Sequence, residues 1–237
     1  MIKREFVIGD VHGCYKTLHH LLFEIINITK KDSLYFLGDI IDRGPQPREV
    51  IELIQNMKKS GYKIRVLKGN HEDLFLNAMD FMDDTNNSNT ERWLAMGGAI
   101  TTYKSFSQSG SFELRNIHRD FFRNLEDYIV LEDFVLCHAG LKFTDADPFK
   151  DRYYMVWERE PQKVIPEKIG FRKLITGHSP KTLQQIFDSL STNHIYLDGG
   201  CVHYRTKAGM GYMVALELNS LELFQQICID FENEFHY

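Results

Sequence analysis

Apolar and polar positions fall into alternating blocks along the N-terminal part of the chain. Glu5 to Ile8 is an apolar run of strand length, and from Tyr15 the residues Leu18, Leu21, Leu22, Ile25 and Ile28 recur at helical spacing. A second run, Leu34 to Leu37, leads through a glycine and proline turn into PREVIELIQNMKKSG, where Pro47 suits a first helical turn and Gly61 a stop. Ile64 to Leu67 reads as a third strand. Strands alternating with helices predict an α/β class with a largely parallel sheet and helices packed on it.

The polar stretch DDTNNSNT (83–90) breaks this pattern, and Glu91 to Asn124 reads as helical and loop-rich, so the segment 83–125 is expected to form a cap beside the site. From Tyr128 the period shortens to that of strands. YIVL and FVLC flank a turn at Glu132-Asp133, KLIT and HIYL follow, and YMVALEL and LELFQQICI are joined at Asn219-Ser220. No repeat or linker separates the halves, so residues 1–237 read as a single domain with two sheets.

Composition narrows the partners. A chain of 237 residues is long enough to bury one large core, and a net charge of −5 leaves no electrostatic footprint for nucleic acid. No basic run suggests a membrane surface, no 18-residue apolar stretch could span one, and MIKREFVIGD lacks the pattern of a secretory leader. The expected location is cytoplasmic, as a monomer or weak oligomer. The four cysteines, Cys14, Cys137, Cys201 and Cys228, are scattered without a CxxC pair, which argues against a disulfide framework or a structural zinc site.

The chemistry gathers where apolar runs end. Five runs stop at small groups of metal-compatible residues: FVIGDVHG, YFLGDIIDRG, RVLKGNHE, FVLCHAG and LITGH. In open α/β sheets, ligands bind beyond the carboxyl ends of strands, where loops carry special residues. Each group has an ordinary reading of its own. Asp10 and His12 are two residues apart and share a face if the chain stays extended, but Asp-x-His is a common pair. Asp42-Arg43 could be a solvated turn, or Arg43 a phosphate clamp through its planar fork of donors. GNHE could be a turn with a capping Asn70, His138 a satisfied core histidine, and His178 in TGHSP a turn residue. Taken together, Asp, His, Asp, Asn, His and His form a mixed nitrogen and oxygen set suited to manganese, iron or zinc rather than calcium.

The wording and order of GDVHG (9–13), GDIIDRG (38–44), GNHE (69–72), HAG (138–140) and GH (177–178) resemble the signature set of the calcineurin-like metallophosphoesterases, specifically the phosphoprotein phosphatase branch. The resemblance runs from Val7 to about Leu218. WLAMGG (93–98) and LDGGCV (197–202) are similar to compact bacterial members, which include serine/threonine phosphatases and symmetrical diadenosine tetraphosphatases.

That resemblance implies a four-layer αββα sandwich of two mixed sheets flanked by helices, spanning one catalytic domain. It also implies two divalent metal ions, with manganese expected and iron or zinc as alternatives. Asp10 and His12 would hold the first ion, Asp39 would bridge both, and Asn70, His138 and His178 would complete the second. His71 would be the general acid oriented by Asp42, while Arg43, Arg159 and Asn70 would bind phosphate. Arg152 and Arg205 are alternatives to Arg159. Many relatives carry Gly-His-x-His where this chain has Pro180, so water is expected to complete the first ion's shell. The implied reaction is hydrolysis of phosphomonoesters, with phosphoserine or phosphothreonine in proteins as substrate, by direct attack of a metal-bridging hydroxide. The alternatives are a dinucleoside polyphosphate hydrolase and a non-catalytic metal-binding scaffold.

Overall fold

The computed structural model describes residues 3–82, 87–108 and 111–231, so residues 83–86 and 109–110 of the expected cap lie outside the described residues. The first sheet begins as the periodicity predicts. β1 (Glu5–Ile8) is followed by α1 (Tyr15–His20), which widens into a π-type turn over Leu21–Ile25. β2 (Ser33–Phe36), α2 (Pro47–Lys59) and β3 (Lys63–Val66) complete a parallel β-α-β-α-β run, with Ile8 opposite Phe36 and Phe36 opposite Val66. Pro47 sits in the first turn of α2, where its missing N–H has no intrahelical partner to lose.

The middle of the chain is helical: α3 (Asn70–Ala78), α4 (Ser88–Ala95), α5 (Ala99–Phe106) and α6 (Asn116–Arg123), with a two-residue ladder of β4 (Ser107–Gln108) and β5 (Ser111–Phe112). The second sheet follows. β6 (Tyr128–Val130) and β7 (Phe134–Cys137) form an antiparallel hairpin. After α7 (Arg152–Trp157), β8 (Lys173–Thr176) lies parallel to β7, and after α8 (Leu183–Ser189), β9 (His194–Tyr196) lies parallel to β8. The chain then returns to the first sheet. β10 (Tyr212–Glu217) runs antiparallel beside β1, and β11 (Leu223–Ile227) forms the edge, giving the orders β11-β10-β1-β2-β3 and β6-β7-β8-β9.

Alternation along each strand sets the layers, because successive side chains point to opposite faces. Val7, Tyr35, Leu136, Ile175, Ile195 and Val214 meet in one buried cluster between the two sheets. Phe6, Ile8 and Phe36 face the other way, against Leu18, Ile51 and Phe75 of the first helical layer. Beyond the second sheet, Val135 and Leu174 pack on Met155 and Val156 of α7. The result is the expected αββα sandwich. Trp93, Phe106 and Phe122 from the 87–125 segment belong to the same core as Phe6, so this segment packs into the domain body.

Candidate metal centre and active site

The carboxyl ends of β1, β2, β3, β7 and β8 all open on one edge of the sandwich, and the predicted residues follow directly from them. Asp39 is the hub. Its Oδ1 lies 3.4 Å from His138 Nε2 and its Oδ2 lies 3.4 Å from His12 Nε2, so one carboxylate faces two nitrogen donors from two different sheets. On the first side, the ligand-type atoms of Asp39, His138 and His178 lie within 4.8 Å of one another. Asn70 Oδ1 joins them at 3.3 Å from His138 Nε2, with His178 Nδ1 at 3.1 Å. On the other side, His12, Asp39 and His71 form a second such group. Asp10 is buried beside both, but its oxygens accept the His178 amide at 3.1 and 3.2 Å.

Hydrogen bonds fix which nitrogens are free. His138 Nδ1 meets the Leu37 carbonyl at 2.8 Å and His12 Nδ1 meets the Ile41 carbonyl at 3.0 Å, so in both rings Nδ1 carries the proton and Nε2 presents a lone pair. The His138 Nε2 lone pair and the Asn70 and Asp39 oxygens, 3.3 and 3.4 Å away, repel unless a cation lies among them. The residues therefore fit divalent ions. Arg43 Nη1 donates to His12 Nε2 at 2.9 Å, the same lone pair an ion would take, so the two uses are exclusive.

The backbone beneath is tightly specified. His12, Asp39, Asp42, Arg43 and His178 all have positive φ, between 46° and 68°, a conformation uncommon for side-chain-bearing residues and costing on the order of 1–3 kcal/mol each. Glu72 offsets part of this strain. Its buried carboxylate accepts the amides of Asp39 (2.8 Å), Ile40 (2.8 Å), Ile41 (3.1 Å) and Gly69 (2.9 Å), tying the loop after β2 to the start of α3. Gly69 is needed there, since a Cβ would stand 2.1 Å from Asp39 Oδ1.

A second pair sits behind His12. His71 Nδ1 is 2.7 Å from Asp42 Oδ2, and both side chains are fully buried. Asp42 is held in turn: Thr102 Oγ1 donates to its Oδ1 at 2.6 Å, and Trp93 Nε1 donates to its Oδ2 at 3.3 Å. His71 Nε2 is left as a buried nitrogen without a partner among the described residues.

Comparison with known proteins places this arrangement. The sequence profile described as calcineurin-like phosphoesterase matches residues 5–182. The chain belongs to that family. Its curated relatives include the symmetrical bis(5'-nucleosyl)-tetraphosphatases of Proteus mirabilis, 36% identical over 67 residues, and of Hamiltonella defensa, 40% identical over 67 residues. Each match spans 28% of this chain and 23% of the relative, so the chain covers about a quarter of those proteins. Among solved structures, a protein provisionally assigned as a diadenosine tetraphosphatase superposes with TM-score 0.61 at 17% identity, covering 95% of this chain and 93% of that one. A protein serine/threonine phosphatase from Saccharomyces cerevisiae superposes with TM-score 0.61 at 15% identity, covering 94% and 79%. At such identities these two likenesses speak to the fold alone.

Burial and charge set the protonation of this calcineurin-like site. Burial holds His138, His12 and His178 below their ordinary range, His178 down to about 3, so these imidazoles are neutral and ready to ligate. His71 goes the other way. Burial opposes its charging, but the Asp39 charge and the hydrogen-bonded Asp42 carboxylate raise it. Asp10 is pushed well up by burial, with Asp198 and Asp39 adding repulsion. Burial opposes ionisation of Asp39 as well, but positive charge on the histidines around it, with His71 the one whose charged form is favoured, holds it below the usual carboxylate range. Arg159 is exposed near the site, where its charge lowers His138 and His178. Arg152, by contrast, is paired with Asp127 at 2.9 Å, and Arg205 lies over the Tyr204 ring.

Four contributors escaped the sequence reading: Glu72, Thr102, Trp93 and Asp198. Glu72 was visible as the acid three residues after Gly69, the spacing of a helix-start capping pair. Asp198 follows β9 in the same strand, acid and glycine wording as the other motifs; its Oδ1 accepts Gly200 N at 2.8 Å, and burial pushes it up to about 6. Trp93 opens the WLAMGG stretch, which does not show that its indole reaches Asp42, and Thr102 carries no comparable signal.

Proposed function

We propose that this chain is a dinuclear-metal phosphatase that hydrolyses phosphomonoesters, with phosphoserine or phosphothreonine in proteins as its substrate. The observation that carries the reading is the Asp39 carboxylate, shared between two converging donor groups beside a histidine acid. Asp39, Asn70, His138 and His178 would hold one ion, and His12 and Asp39, with Asp10 nearby, the other. When bound, two divalent ions supply charge neutralisation for the phosphoryl oxygens and an activated water at neutral pH. Manganese suits the mixed nitrogen and oxygen donors, as do iron and zinc.

The chain's own residues do the rest. Water attacks phosphorus, the bond from phosphorus to the ester oxygen breaks, and His71 Nε2 gives its proton to the departing alkoxide. The proton on Nδ1 stays in the bond to Asp42, which fixes the ring and favours the charged form that an acid needs. Arg43, once released from His12, and the exposed Arg159 would bind the non-bridging oxygens. A scaffold without turnover would need neither the buried His71–Asp42 pair nor the arginines.

Dinucleoside polyphosphate hydrolysis is the second reading, favoured by the short matches to symmetrical tetraphosphatases. The same residues would cut a phosphoanhydride, so specificity must lie in the walls of the cleft. The deciding experiment compares phosphopeptides, aryl phosphates and diadenosine tetraphosphate with the manganese-reconstituted protein. Preference for phosphopeptides is the expected result. Strong preference for the dinucleotide would replace the substrate assignment, and no turnover with manganese, iron or zinc would overturn the enzyme reading.

A further inference from the structure

Three cysteines that are far apart in sequence meet behind the loop that carries His12. Cys14 precedes α1, Cys201 opens a single 3-10 turn after Gly200, and Cys228 follows β11. All are buried, at 0%, 2% and 0% exposure. Their sulfur atoms lie within 4.8 Å of one another, and Cys14 Sγ is 3.9 Å from Cys228 Sγ. The fourth cysteine behaves differently. Cys137 donates to the carbonyls of Gly140 and Met155, as an ordinary packed thiol does, whereas no oxygen among the described residues accepts a hydrogen bond from the other three.

The segments are fixed independently of any ligand. Asp230, two residues past Cys228, accepts the amides of Lys16 (2.9 Å) and Thr17 (3.0 Å) and the Thr17 hydroxyl (2.5 Å), which fastens the chain after β11 to the first turn of α1. Cys201 is placed by the turn that begins at Gly200, whose φ of 63° allows the reversal. The trio is thus preorganised. Around one ion with metal–sulfur bonds of about 2.3 Å, tetrahedral or trigonal geometry puts sulfurs roughly 3.8 to 4.0 Å apart. The 3.9 Å pair already has this separation, whereas a disulfide would require the sulfurs to close to about 2.05 Å.

We propose that Cys14, Cys201 and Cys228 form a third cation site, a trithiolate centre for a thiophilic d10 ion, zinc(II) or copper(I). Soft thiolates select these ions over manganese, which prefers the nitrogen and oxygen donors around Asp39. Binding releases the thiol protons: one zinc(II) and three thiols give a trithiolate complex of net charge −1 and three protons, with no redox change. The ion would tie the start of α1, the turn after Asp198 and the C-terminal strand together behind His12.

The test uses the full chain and does not depend on turnover, so it stands apart from the phosphatase reading. Cobalt(II), a spectroscopic stand-in for zinc, is titrated into reduced wild-type protein. Expected is a near-ultraviolet sulfur-to-cobalt charge-transfer band whose final intensity corresponds to one sulfur-bound cobalt per chain, since the donors around Asp39 include no sulfur. Zinc(II) and copper(I) should each displace the band, and competition between the two for the sulfur site identifies which ion it prefers. Cys228→Ser and Cys201→Ser should each lose the band while keeping the wild-type circular dichroism spectrum and cobalt uptake at the nitrogen and oxygen donors. X-ray absorption of the zinc- or copper-loaded wild type should show a sulfur shell near 2.3 Å, a readout that needs no variant to fold. A wild type with only nitrogen and oxygen neighbours around every bound ion, or a charge-transfer band unchanged in both serine variants, would overturn the proposal.

Discussion

His71 and Asp42 form a hydrogen-bonded pair 2.7 Å apart with no solvent access to either side chain. An imidazole in this position is charged more readily than its burial alone would permit, and its free Nε2 faces the site. His71→Asn should cut turnover of alkyl phosphates by about 100-fold or more, in the range of general acid catalysis. Activated aryl phosphates, whose leaving groups need little protonation, should lose far less. Parallel losses for both substrate types would remove the acid role.

Asp42→Asn should shift the alkaline limb of the pH–rate profile. Asp42 raises His71, so its neutral replacement lowers the histidine's pKa and moves the loss of the protonated acid to lower pH. The measurement is the alkaline limb of kcat against pH. No displacement, or displacement toward higher pH, would contradict the pairing.

Glu72→Gln tests whether four backbone amides on one carboxylate matter to the donors above it. The amide replacement brings a donor into a ring of donors, so Asp39 and the Gly69 turn lose their common anchor. Metal affinity should fall by about 10- to 100-fold while the chain stays folded. Calorimetric titration with manganese alongside circular dichroism would check this, and wild-type affinity would dismiss the anchoring role.

The two donor groups are unequal, and metal titration should reveal it. One gathers Asp39, Asn70, His138 and His178, whereas the other has His12 and Asp39 with Arg43 competing for the histidine. Two phases are expected in the wild type, with the tighter one lost in His178→Ala. Two ions binding with equal strength would refute the asymmetry.

His194 offers a clean test of stability against pH, away from the donor groups. Burial, with Lys181 adding repulsion, lowers it to about 4, while the unfolded chain binds that proton near 6.5. Its contribution is therefore fully present above 6.5 and is lost as pH falls toward 4, by up to roughly 3 kcal/mol. His194→Gln should flatten this part of the acid denaturation curve relative to wild type. Curves with the same slope between pH 6.5 and 4 would show that the buried ring does not titrate as stated.

Local chemistry was the legible part of this sequence. β1 and α2 follow from apolar spacing and from Pro47, and the residues around Asp39 follow from glycine-flanked acids and histidines at strand ends. These signals sit within a few neighbouring positions. The supports are of another kind: Thr102 reaches Asp42 across 60 positions, and Cys14 meets Cys228 across 214. Periodicity reports which face a residue takes, not which distant residue it meets. The three cysteines looked scattered for that reason, and only the return of β10 and β11 to the first sheet brings them together.

The hydrogen bond from His138 to the Leu37 carbonyl joins a residue after β7 to one after β2, and so joins the two sheets at the site itself. Asp10, His12, Asp39 and Asn70 follow strands of the first sheet, whereas His138 and His178 follow strands of the second. A chain whose sheets had formed but not yet docked would hold two incomplete sets, neither able to retain an ion well. Metal supply would then act on the folding equilibrium itself: ions captured only by the docked state add to its stability by mass action, so chelation should loosen the seam between the sheets before it melts either one.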